Sequence, residues 1–177
     1  MSHIVKGERT KKFKVTHTHR ERKKRMVSPG FDPGTLTTMT KEVLVSVSGV
    51  QTDIDDTPIE LVTTGTYYLK NGKHYVLYEE QPEDSASVTK NVVKFYDGHF
   101  EITKKGGTNS FLVFDRDKRT SMVYNTPMGS LQMDVLTKEL VIHETEDEFQ
   151  VFVKYSLDIN YEFVSECEVS FRVQARA

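Results

Sequence analysis

The sequence contains no tryptophan, one cysteine and only five prolines in 177 residues. With Cys167 alone, no intramolecular disulfide can form, which excludes a disulfide-stapled scaffold and fits a reducing, cytoplasmic setting. No run approaches the roughly 20 apolar residues that a helix needs to cross a bilayer. The basic N-terminus has no apolar stretch behind it, so no secretory signal is read there. Sustained 3.6-residue periodicity is also lacking, which leaves room for a short helix only in a connection. Phosphate loops, dinucleotide fingerprints, zinc spacings and nucleophile elbows are absent, so no cofactor, metal or catalytic constellation is expected.

The net charge of −2 conceals two unlike parts. Residues 1–38 hold ten Lys/Arg against three Asp/Glu, an excess of +7, whereas residues 39–177 hold fourteen against twenty-three, an excess of −9. The first part carries the basic run His17–Arg25 and the turn-rich stretch Ser28–Gly34, and neither suits a helix or a central strand. Three readings compete for it. The favoured one places the true translation start at Met39, immediately before the first strand pattern. The others are a solvated, disordered tail and a nucleic-acid-binding arm. The acidic remainder repels phosphate, so nucleic acid is not an expected partner of the domain at 39–177.

What the chain has in quantity is strand, tight turn, strand. Tyr67–Glu80 flanks Asn71-Gly72, a dipeptide suited to a two-residue type I′ turn. Pairing across it opposes Leu69 to His74, Tyr67 to Val76 and Gly65 to Tyr78 on an inner face. Tyr68 with Tyr75 and Lys70 with Lys73 fall on the outer face. Val88–Lys105 turns at Asp97-Gly98, which pairs Phe95 with Phe100, Val93 with Ile102 and Lys94 with Glu101; slipping one residue would expose both phenylalanines. A tight turn at Gly106-Gly107 then opposes Ile102 to Phe111 and Phe100 to Val113. That register leaves Leu112 and Phe114 outward, as a face for self-association. Leu131–Glu144 is long for one strand and is expected to bend or break near Thr137-Lys138. Tyr161–Val173 places Phe163, Cys167, Val169, Phe171 and Val173 on one face. Nine to eleven strands result. Sequential hairpins make them an antiparallel meander, and a meander with an apolar inner face removes its edges by closing. The expected fold is all-β: an antiparallel up-and-down β-barrel of lipocalin-like, calycin-like kind, with an open two-sheet sandwich as the alternative.

The order Tyr68…Tyr75-Val76-Leu77-Tyr78-Glu79-Glu80, then Thr126-Pro127-Met128-Gly129 before a long strand, then Tyr155-Ser156-Leu157, resembles the YwiB-like family of uncharacterised bacterial β-barrel proteins. The resemblance covers residues 39–177. It implies a calycin-like fold and assigns no activity and no catalytic residue.

Candidate chemistry is sparse. Asp53, Asp55 and Asp56 lack the glycine and distal glutamate of a calcium loop and read as solvated. His74 and His99 flank turns and are expected to be exposed, and His143 is placed for ion pairing with Glu144–Glu148. Cys167 reads as a buried core thiol. Glu79 and Glu80 are adjacent in a strand, so one of them should face the barrel. Two functions are weighed. One is a binding module taking a small, partly apolar ligand inside a barrel lined by Tyr67, Tyr78, Phe95, Phe100, Phe111, Tyr124 and Tyr155. The other is a structural or interaction protein that uses the Leu112/Phe114 face.

Overall fold

Val, Ile, Phe and Tyr alternate with polar residues throughout, and short turns separate the runs, so strands form in chain order. The computed structural model describes residues 40–53, 55–81, 83, 85–107 and 109–176; the readings made for residues 1–38 and for a start at Met39 lie outside them. The strands are β1 (Lys41–Gln51), β2 (Asp55–Lys70), β3 (Lys73–Glu80), β4 (Thr89–Tyr96), β5 (His99–Gly106), β6 (Ser110–Asp115), β7 (Arg119–Thr126), β8 (Gly129–Glu144), β9 (Glu148–Ile159) and β10 (Glu162–Ala175).

All ten lie in one antiparallel sheet ordered β6-β5-β4-β3-β2-β1-β10-β9-β8-β7. The first and last strands pair from Val43↔Ala175 to Gln51↔Cys167, which joins the first described strand to the last. The two edges, β6 and β7, meet at a seam that has no ladder. The Thr120 hydroxyl donates to the Val113 carbonyl at 2.6 Å, and the Thr137 amide to the Lys118 carbonyl at 3.0 Å. The result is a nearly closed ten-stranded barrel, as expected, and not a sandwich.

The hairpin at Asn71-Gly72 has φ of 51° and 71°, and its register is the expected one, from Gly65↔Tyr78 to Lys70↔Lys73. Gly65 is required there. A Cβ on it would lie 2.7 Å from the Leu77 carbonyl oxygen and 2.9 Å from a Val45 methyl. Beyond this glycine β2 and β3 part, and residues 55–64 pair with β1 alone. β8 stays continuous but bulges between Thr137 and Glu139, where a bend was expected.

Two registers differ from the sequence reading. Across β5 and β6 the pairs are Ile102↔Leu112 and Phe100↔Phe114. The connection holds five residues between Lys104 and Ser110, not a two-residue turn, and the Asn109 carboxamide oxygen accepts from the Gly106 amide at 3.2 Å. A change in loop parity turns every side chain over. Phe114 is therefore fully buried and Leu112 packs against the core, while Phe111 is 47% exposed. The face proposed for self-association points inward. In β10 a bulge between Phe163 and Ser165 breaks the alternation, so Phe163 is exposed while Ser165, Cys167, Phe171 and Val173 are buried.

Candidate functional site

The interior has two unlike halves. One end is plugged by aromatic rings. Phe149 packs on Tyr67, His74 and Phe95, with ring centres 5.7, 4.7 and 5.4 Å away. Phe171 meets Phe100 at 5.5 Å and Tyr78 at 6.4 Å. His74 is thus no exposed turn residue. Its Nδ1 is 3.0 Å from the Tyr67 hydroxyl, and its ring stacks on Phe95. Burial, and then the negative charge of Glu144, pushes the Tyr67 hydroxyl well above its ordinary range; burial and Glu80 do the same to Tyr78.

At the other end the plug stops at Tyr155, whose ring packs 4.9 Å from Phe114. Past it lies a cavity of about 680 Å³ that opens to solvent. Its walls come from the ends of β1, β2, β9 and β10: Val47, Leu61, Leu157 and Val169 are apolar, and Ile59 stands at the rim. Tyr155 and Cys167 form the inner wall. The Cys167 thiol is buried, as expected, and lies 3.1 Å from the Ser165 hydroxyl. Burial, together with the neighbouring Cys167, pushes the Tyr155 hydroxyl up, so it stays a neutral hydrogen-bonding group.

Across the cavity stands an inward ion pair. Glu80 shares the inner face of β3 with Val76 and Tyr78, and Lys104 shares that of β5 with Phe100 and Ile102. The Lys104 ammonium donates to both Glu80 oxygens at 3.0 Å. Because β4 separates the two strands, the pair arches over the inward Thr89 and Asn91, which are both buried. The Asn91 amide donates to the Thr89 carbonyl at 3.4 Å, but its Oδ1 has no donor; neither has the buried Thr137 hydroxyl oxygen, which neighbours Tyr155 on the ladder.

Of the residues anticipated as lining, the structure places Tyr155 on the cavity. Tyr67, Tyr78, Phe95 and Phe100 belong to the plug, Phe111 faces outward, and Tyr124 is half-buried on β7 away from the cavity walls. Glu80 is the inward member of its glutamate pair, as alternation requires. Lys104 was not anticipated, although its i, i+2, i+4 spacing from Phe100 and Ile102 marks it as inward. His99 is buried on the outer side of the wall, between Asp115 at 2.7 Å and Glu101 at 2.9 Å, and is not the exposed residue expected. His143 is exposed and has no ion-pair partner among the described residues. Among those residues, no group of three or more His, Cys, Asp or Glu could hold a metal ion. Among those residues no helix is long and apolar enough to cross a membrane.

These features define a β-barrel of uncharacterised biochemical role, filled with aromatic rings at one end and hollow at the other. The chain belongs to the family described as Domain of unknown function (DUF1934), which matches residues 45–171, and so to the YwiB-like β-barrel proteins. It is 26% identical to the uncharacterized beta-barrel protein YwiB of Bacillus subtilis (strain 168) over 115 residues, which is 65% of this chain and 80% of that protein. The crystal structure of the ywiB protein from Bacillus subtilis matches with a TM-score of 0.65 at 22% identity, covering 79% of this chain and 96% of that one. At that identity the likeness concerns the fold.

Proposed function

We propose that the protein is a cytosolic, calycin-like barrel that binds a small, partly apolar molecule in its hollow end. The observation that carries this is the cavity of about 680 Å³ with apolar walls and a few converging polar groups. Ligand pockets are commonly about 300–1,000 Å³ and built in that way. A barrel whose only task was to stay folded would gain by filling the space, since voids in a core cost stability. The single free thiol supports the cytosolic setting.

Thermal-shift and native mass-spectrometric screening of a metabolite library tests the reading. At least one compound should raise the melting temperature and be retained in the native spectrum. Leu61→Trp, which fills the cavity, should abolish retention while changing the stability of the free protein by less than about 1–3 kcal/mol, the usual cost of overpacking. A library that yields no retained compound, or one that Leu61→Trp still retains, sinks the reading.

A second reading, an interaction barrel, draws on the parting of β2 and β3. Ile59 is 84% and Val62 64% exposed on a strand segment that pairs on one side only. Such edges are templates for another strand. Size-exclusion chromatography with light scattering should then show an assembly that Val62→Lys disperses; a monomer at every concentration counts against it.

A further inference from the structure

We propose that the hollow end recognises an uncharged ligand head that carries an N–H beside a C=O, a carboxamide or lactam, on an apolar body; this rests on the ligand-binding reading above. Strand alternation sorts the charged residues around the cavity, which are Glu60, Glu80, Lys104 and Glu168. Glu60 alternates with Leu61, and Glu168 with Cys167 and Val169, so both of these carboxylates belong to the outer surface, where Glu168 meets the Lys154 ammonium at 3.3 Å. Glu80 and Lys104 are the two that face inward, in step with Tyr78 and Ile102. Their charges cancel. An ionic ligand would bring its charge into an apolar space without a spare counter-charge, and its desolvation would go uncompensated.

The ion pair is itself the recognition element. Both side chains line the cavity, with 27% of Lys104 and 24% of Glu80 exposed. An ammonium has three donors, and a carboxylate has two acceptor sites on each oxygen. Lys104 uses two donors on the two Glu80 oxygens, each at 3.0 Å. Neither group has a further hydrogen-bond partner among the described residues, so an N–H and a carboxylate lone pair stay open side by side. That is the complement of an amide edge: the ligand N–H donates to Glu80 and the ligand carbonyl accepts from Lys104, with the ion pair left intact. Hydrogen bonds to charged groups are the stronger kind. Stability does not account for the pair, because apolar residues of similar size commonly serve a core as well or better. The body of the ligand would lie against Val47, Leu61, Leu157 and Val169.

Four probes that share a phenyl body separate the alternatives: 3-phenylpropanamide, its N,N-dimethyl derivative, 2-phenylethylamine and 3-phenylpropanoate. Each is titrated into the full chain and followed by NMR shifts of cavity residues. The primary amide should bind about tenfold tighter than the dimethylamide, which lacks the N–H, and tighter than either ion. Glu80→Met combined with Lys104→Met should bring the two amides within about twofold of each other, since no donor or acceptor then meets the head. Reversing the pair, Glu80→Lys with Lys104→Glu, keeps a donor beside an acceptor and should restore the preference. Tightest binding of the amine or the acid, equal binding of the two amides by the parent protein, or a preference that survives without the pair overturns the assignment and leaves the ligand-binding reading standing. So does a preference that is lost in the reversed pair. Failure of all four probes to shift any cavity resonance overturns this proposal, whereas the library screen decides the broader reading separately.

Discussion

Two residues show how single positions carry stability here. The turn between β9 and β10 uses Asn160 and Tyr161 at φ of 50° and 69°, and Tyr161 has a bulky side chain in the left-handed region. That conformation costs a non-glycine residue roughly 1–2 kcal/mol. Tyr161 is 82% exposed, so little packing would be lost. Tyr161→Gly should raise stability by about 1 kcal/mol in urea unfolding. Glu101 illustrates charge. Burial alone would raise its carboxyl, but hydrogen bonds from Lys94 at 2.7 Å and His99 at 2.9 Å outweigh burial and hold it below the usual carboxylate range. A carboxyl held lower in the folded state than in the unfolded chain stabilises above the unfolded value, and the stabilisation is lost as pH falls through the folded one. Glu101→Gln should therefore be less stable at neutral pH. Its stability should also decline less steeply than that of the parent below about pH 4.3, the ordinary glutamate value. Parallel acid-unfolding slopes would remove the assignment.

At the scale of elements, the β5–β6 register is the instructive case. Pattern alone cannot choose between Phe111 and Phe114 as the buried residue, because Phe111-Leu112-Val113-Phe114 is apolar at all four positions. The loop decides: with five residues between Lys104 and Ser110, Phe114 points inward. Phe114→Ala should cost about 3–5 kcal/mol, whereas Phe111→Ala, at a half-exposed outward position, should change stability by about 0.5 kcal/mol or less. Chemical denaturation of the two variants checks this, and equal losses would contradict the register. The hairpins with Asn71-Gly72 and Asp97-Gly98 were legible because a two-residue turn fixes the pairing outright. The bulges in β8 and β10 differ in kind. The first was visible as a strand too long to stay straight. The second left Ser165 buried and Phe163 out, against the hydrophobic order of those residues.

For the whole molecule, topology sets where the barrel is weakest. The first and last strands, β1 and β10, are joined by a full ladder, while the seam between β6 and β7 has none. Native-state hydrogen exchange should find β1 and β10 among the slowest amides and β6 and β7 among the fastest strands. Uniform protection around the barrel would show the seam to be as strong as a ladder. The same topology makes the cavity. β2 leaves β3 at Gly65, and the ends of β1, β2, β9 and β10 surround a space that the aromatic plug does not reach.

The sequence by itself determined that the protein is all-β and that its strands run in order through tight turns, and it favoured a closed meander over an open sandwich. It also required that one of Glu79 and Glu80 face inward, which the structure shows to be Glu80, and read Cys167 as buried. These follow from period-two alternation and turn chemistry, which are local. The tertiary structure decided where the interior is full and where it is hollow. That distribution depends on which rings meet across the barrel: Phe149 joins Tyr67, His74 and Phe95 across the interior, from a strand with no ladder to theirs. Aromatic richness therefore marked the plug, and the cavity fell instead among valines and leucines, beside a lysine and a glutamate that meet only because β3 and β5 flank the same strand.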